Sequence, residues 1–226
     1  LTTSGVTSTF NDQNVAIADS VTVTAATLGN GTDGLASNYS LATGDITSAS
    51  ATITARALTA TAAATKEYDG NNTASSALTL ANLIDGEALT TSGVTSTFND
   101  QNVAIANSVT VTAATLGNGT DGLASNYSLA TGDITSASAT ITARALTAAA
   151  DAADKVYDGN TTATSTLTLS GLIDGETLTT SGVGSTFNDK DVLDANSVTV
   201  TAATLGNGTD GLASNYSLAT GDITSA

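Results

Sequence analysis

Histidine, cysteine, methionine, tryptophan and proline are absent from the 226 residues, and lysine and arginine together number five. Without His or Cys the chain has no Ser–His or Cys–His nucleophile, no thiolate or imidazole metal site and no disulfide framework. Five basic residues against 21 acidic ones leave a net charge of −16, which repels phosphate backbones and anionic lipid. Nucleic acid is therefore excluded as an expected partner. No apolar run approaches the roughly 18 residues of a membrane helix, so this segment is not expected to insert in a membrane. Aromatic residues are scarce, three Phe and five Tyr, and the apolar fraction leans on Ala. Charged residues make up only 12% of the chain, against the highly charged signature of disorder, so a folded chain with a thin core is expected.

What is present is repetition. Residues 1–60 recur at 89–148 with one difference, Asp19 against Asn107, and a third copy begins at Leu178. An offset near 88 residues suits one small domain. The chain is read as the C-terminal part of a repeat (1–55), a complete repeat (56–143) and a repeat lacking its last few residues (144–226).

Within each repeat the pattern is that of strands. Residues 108–113, Ser-Val-Thr-Val-Thr-Ala, and residues 139–143, Ala-Thr-Ile-Thr-Ala, alternate apolar and polar side chains at period two. Turn residues interrupt such runs about every ten positions, as at Asp69-Gly70, Asp85-Gly86, Asn99-Asp100, Gly117-Asn118-Gly119 and Asp121-Gly122. These spacings predict an all-β, sandwich- or barrel-like domain. One helical turn is expected over 122–126, and 149–153 is read as strand. The repeated aromatics (Tyr68 and Tyr157; Phe10, Phe98 and Phe187; Tyr39, Tyr127 and Tyr216) are read as core, because little else is large enough to fill one.

Taken in order, Lys155-Val-Tyr-Asp-Gly-Asn, Gly171-Leu-Ile-Asp-Gly-Glu, Thr186-Phe-Asn-Asp, Asn215-Tyr-Ser-Leu and a closing Ile-Thr-Ala-Arg-Ala-Leu-Thr resemble the YDG repeat. That module occurs in tandem arrays of bacterial surface adhesins and filamentous-haemagglutinin-like exoproteins. The resemblance covers nearly the whole chain. It implies mostly-β, β-grasp-like domains, an extracellular or cell-surface setting, a stalk or fibre role in adhesion or biofilm, and no catalytic residues. The expected partners are neighbouring repeats of the same chain and other copies in a filament.

Few residues suggest chemistry of their own. Asn118, Asp121 and Asp100 offer the hard oxygens a Ca²⁺ ion takes, but they lack the spacing of a calcium loop and serve equally as turn residues, so no cofactor is expected. Lys66 and Lys155 hold one position, two residues before the tyrosine, where a snorkelling surface lysine is favoured over a Lys–Asn isopeptide. Glu67, Glu87 and Glu176 are the only glutamates and form no carboxylate pair for acid–base work, so an enzyme is not expected.

Residues 89–137 and 178–226 differ at five positions, all within eleven residues, four of them Gln101/Lys190, Asn102/Asp191, Ala104/Leu193 and Ile105/Asp194. A position that takes Ile or Asp is not buried. This loop is read as exposed, and as the place where repeats differ in what they touch.

The junction 137–147 has neither Gly nor Pro and keeps its alternation, so it is no flexible linker. One repeat's last strand is expected to run into the next repeat's first. Arg56 and Arg144 would mark the seam, and the domains would stack end to end. The alternative is a module that contacts polysaccharide, host surface or ice directly through Thr-rich faces or acidic loops.

Overall fold

Threonine and alanine alternate along the strand Thr59–Glu67, and in the computed structural model, which describes residues 1–225, the alternation separates two environments. Ala60, Ala62 and Ala64 are buried while Thr59, Thr61 and Thr65 are exposed. Val109 and Val111 point inward from Val109–Asn118 in the same way, with Thr110 and Thr112 outward. Threonine's β-branch suits the pleated backbone and its hydroxyl keeps the outer face wet. The chain is all-β. Among the described residues the helical content is limited to three-residue 3₁₀ turns, one of which, Ala124–Asn126, falls within the span where a single turn is expected. No helix among the described residues is long and apolar enough to cross a membrane.

The third repeat shows the arrangement of strands. Strand Thr147–Ala152 lies at the centre of one small sheet. It runs antiparallel to Ser165–Ser170, with Thr147 opposite Ser170, and parallel to Ile223–Thr224, with Ala148 opposite Ile223. A second sheet centres on Leu178–Phe187, flanked by Thr162–Ala163 and Val198–Asn207, both antiparallel. A two-residue parallel ladder joins Arg144–Ala145 to Tyr216–Ser217. The long hairpin shifts register between Ser181 and Ser185, and Gly182 at that point has φ 57°. Gly93 (58°) and Gly5 (56°) match it in the other repeats. A left-handed residue in a bulge favours glycine, which explains its recurrence within an otherwise β-branched strand.

The second repeat uses the same strand orders. Ile134–Thr142, Thr59–Glu67 and Ala77–Ala81 make one sheet; Thr73–Ala74, Leu89–Phe98 and Val109–Asn118 make the other. Residues 1–55 contribute Thr2–Phe10, Ser20–Gly29 and Ala49–Ser50. Two compact units result. One comprises Leu1–Ala60, Thr79–Gly93 and Ala114–Ile134; the other comprises Thr61–Leu78, Val94–Ala113 and Thr135–Ala226. Neither coincides with a single sequence repeat.

The aromatic residues do not all enter a core, contrary to the sequence reading. Tyr68, Phe98, Tyr127 and Tyr216 are buried, but Phe10, Tyr39 and Tyr157 are 43%, 61% and 58% exposed. Identical motifs thus sit in different surroundings. Tyr127 is covered by Arg56–Ala57, which pairs beside it, and by the loop carrying Glu87. Residues 1–55 hold no such strand and no such loop to close over Tyr39.

Candidate functional site

The most elaborate polar arrangement lies where the second repeat meets the third, wholly within the second compact unit. Tyr68 stands one residue beyond strand Thr59–Glu67, its backbone N–H donating to the Thr142 carbonyl at 2.9 Å. Its ring is 2% exposed. Its hydroxyl donates to Glu176 Oε1 at 2.6 Å. Tyr216, from the third repeat, donates to the other oxygen, Oε2, at 2.7 Å, and accepts the Ile173 N–H at 3.1 Å. One carboxylate therefore takes a tyrosine from each of two repeats. The rings meet edge to face, 5.4 Å apart and 77° between planes, a geometry that adds specificity to the burial. Charge-assisted O–H···O⁻ bonds of this length are the strong kind.

Glycine is required at the turn that follows. Gly70 has φ 78°, and a Cβ there would stand 3.1 Å from Ile173 Cγ2. The Tyr-Asp-Gly sequence thus supplies a ring that fills the joint and a glycine that lets the turn lie against the next repeat. Burial, and then the hydrogen bond to Glu176 and its negative charge, push the Tyr68 phenol well above its usual range. Tyr216 is raised as well, mainly by burial.

A second contact carries the same seam. Asn215 is almost wholly buried, accepts the Val103 N–H at 2.9 Å and donates to Asn102 Oδ1 at 2.8 Å. In the first compact unit Asn126 does the same, accepting from Val15 N–H at 2.9 Å and donating to Asn14 Oδ1 at 2.9 Å. Here the sequence reading needs correction. Asn102, expected to be exposed with the other variable positions, is half-buried because Asn215 holds its side chain. Gln101, Ala104 and Ile105 are exposed, as are Lys190, Asp191, Leu193 and Asp194. Lys190 pairs with its neighbour Asp191 at 2.8 Å.

Arg144 donates from Nε to the Gly171 carbonyl at 2.7 Å and lies 3.9 Å from Glu67 of the preceding repeat. In the first unit Arg56 donates from Nε to the Asn82 carbonyl at 2.6 Å. Both arginines begin the short parallel ladders beside Tyr216 and Tyr127.

The lysine that recurs two residues before the tyrosine is a turn clamp. Lys66 Nζ donates to Asp69 Oδ1 (2.6 Å), the Asn71 carbonyl (2.7 Å) and Asn71 Oδ1 (3.1 Å), with the Phe98 ring centroid 5.7 Å away. Three acceptors take up the donors of the side chain and tie the turn to the strand that precedes it. Lys155 repeats this with Asp158, Asn160 and Phe187.

The calcium candidates have turn roles. Asn118 Oδ1 accepts the Ala124 N–H at 2.8 Å, Asp100 Oδ1 accepts the Asn102 N–H at 2.7 Å, and Asp121 adopts φ 55° beside a bridge to Ala88. No group of three metal-ligating side chains converges among the described residues.

Two sequence segments, 52–136 and 142–224, match the family model of the YDG domain. The chain belongs to the YDG domain family. No curated protein and no solved structure matches it. The two YDG segments meet through the family's namesake tyrosine, bound by a residue the sequence reading passed over. Glu87 and Glu176 have no carboxylate partner; their partners are phenols. The available signal was that two of three glutamates hold the same place in an Ile-Asp-Gly-Glu turn, 40 residues before Tyr127 and Tyr216.

Proposed function

We propose that this chain is a structural stalk or fibre segment of a secreted or surface-attached bacterial adhesin, non-enzymatic, which projects or assembles extracellular filaments in adhesion or biofilm. The observation that carries the reading is the joint of Tyr68 and Tyr216 on one Glu176 carboxylate. A spacer built of near-identical repeats gains from a built contact at each junction, because the same local geometry then recurs at each one. The chain path supports this too. Strand Ile134–Thr142 is followed by Arg144–Ala145 and Thr147–Ala152 with single-residue interruptions, so the junction has no slack. Absence of His and Cys, and the net charge of −16, suit a role without catalysis or phosphate binding.

The test is small-angle scattering on chains with one repeat more or fewer. The stalk reading expects the maximum dimension to grow by about 35–45 Å per repeat, the advance of a ten-residue strand and its turn. A dimension that fails to grow by some tens of ångströms would remove its physical support.

A further inference from the structure

Asparagine is followed by glycine at Asn118 and again at Asn207. In a freely moving chain this pair closes on itself, because glycine leaves its backbone nitrogen unhindered for attack on the asparagine side-chain carbonyl. The fold nevertheless calls for both residues. Asn118 Oδ1 accepts the Ala124 N–H at 2.8 Å, and Asn207 Oδ1 accepts the Ala213 N–H at 2.8 Å. A Cβ on Gly119 would run into the Ala88 carbonyl, and one on Gly208 into the Thr177 carbonyl. The glycine N–H groups are engaged as well, Gly119 to the Gly122 carbonyl and Gly208 to the Gly211 carbonyl, both at 3.1 Å. Asn118 and Asn207 are exposed, so water reaches them. Attack requires the side chain to leave its N–H and the glycine nitrogen to leave its carbonyl, and the closed loop therefore withholds the reaction.

Residues 116–126 and 205–215 are identical in sequence. What differs is the residue that clasps each loop. Ala88 bridges to Asp121 and donates its N–H to the Thr120 carbonyl at 2.9 Å. Thr177 bridges to Asp210 and donates its N–H to the Thr209 carbonyl at 3.0 Å. Its hydroxyl also accepts the Thr209 N–H at 2.8 Å and lies 3.4 Å from the Thr209 carbonyl. Alanine has no such group to offer.

We propose that Asn118 and Asn207 are self-modification sites gated by loop opening, and that the clasp residue, Ala88 or Thr177, sets how often each loop opens. Once a loop is open, hydroxide takes the glycine N–H proton and the nitrogen bonds to the asparagine Cγ. The Cγ–Nδ2 bond breaks, and Nδ2 leaves as ammonia with a proton from water, which regenerates hydroxide. Water then opens the succinimide ring at either carbonyl, giving aspartate or isoaspartate. Aspartate keeps an oxygen for the Ala124 or Ala213 N–H. Isoaspartate lengthens the backbone and displaces the glycine from beneath the clasp carbonyl, so the loop does not close again. The chain thus keeps an irreversible record of opening, whatever its setting, and the inference does not depend on the stalk reading.

The experiment holds the intact chain folded at mildly alkaline pH and follows ammonia loss by mass in tryptic fragments, which separate Asn118 from Asn207 at Arg144. Asn118 is expected to react about threefold faster than Asn207, the effect of one net hydrogen bond on the opening equilibrium. Both should react at least about tenfold more slowly than in the same chain unfolded in guanidinium, where their rates should be equal. Thr177→Val should bring Asn207 up to the rate of Asn118, and Ala88→Thr should slow Asn118. Equal rates at the two sites in the folded chain overturn the proposal, as do folded rates that match the unfolded ones. Those comparisons need no variant, so they decide the matter even where a substituted chain fails to fold.

Discussion

The joint at Glu176 and the turn at Glu87 have matching sequences and different surroundings. In the joint both carboxylate oxygens hold tyrosines and the Ile-Asp-Gly-Glu loop lies under a packed ring. At Glu87 a single tyrosine, Tyr127, donates to the carboxylate, and Ile84 of the same loop is 47% exposed. Burial here belongs to a residue's place in the array. Tyr68 is a core residue because another repeat's glutamate turn and Asn-Tyr-Ser tyrosine close over it.

The widest separation should come from the two YDG tyrosines themselves. Tyr68→Ala should cost about 3–5 kcal/mol, because it empties a buried ring site in a thin core and strands a carboxylate oxygen. Tyr157→Ala, at an exposed site, should stay within about 0.5 kcal/mol. Urea titrations of both variants check this, and similar costs would erase the distinction between a filled and an open place.

A smaller contrast is expected at the glutamates. Glu176→Gln replaces two charge-assisted bonds by neutral ones and should cost about 2 kcal/mol, while Glu87→Gln, with one such bond, should cost about half as much. Asn215→Ala should have an effect of the same order. It leaves the Val103 N–H and the Asn102 amide without their buried partner, at about 1–3 kcal/mol, measurable by hydrogen exchange at Val103.

Alkaline pH sharpens the comparison without mutation. The raised phenols of Tyr68 and Tyr216 stabilise the fold fully below the ordinary tyrosine value of 10.0. As pH rises beyond that value the unfolded chain loses its phenolic protons first, and stability should fall progressively toward the folded-state values. The Tyr68→Phe variant should lose part of this dependence; a stability flat above pH 10 would contradict the joint. The smallest effect is expected at acid pH. The hydrogen bond from Lys155 holds the Asp158 carboxyl below its usual range, so this contribution is present above about pH 4 and fades as pH falls. Asp158→Asn should shift the acid midpoint only slightly, because the pair is exposed.

Sequence alone determined the repeat, the strands and most of the turns. Period-two alternation of Ala, Val and Thr leaves no other way to separate buried from wet faces, and Gly182, Gly93 and Gly5 mark one bulge through a backbone angle other residues avoid. Only tertiary structure decided which copies of a motif are buried. Val103 and Val192 share a sequence position, yet the Val103 N–H is bonded to Asn215 across the seam, whereas Val192 is exposed. Local pattern reports what a residue can do within its own strand. A joint between repeats brings together residues such as Tyr68 and Glu176, 108 positions apart, and no local pattern encodes which partner stands across from them.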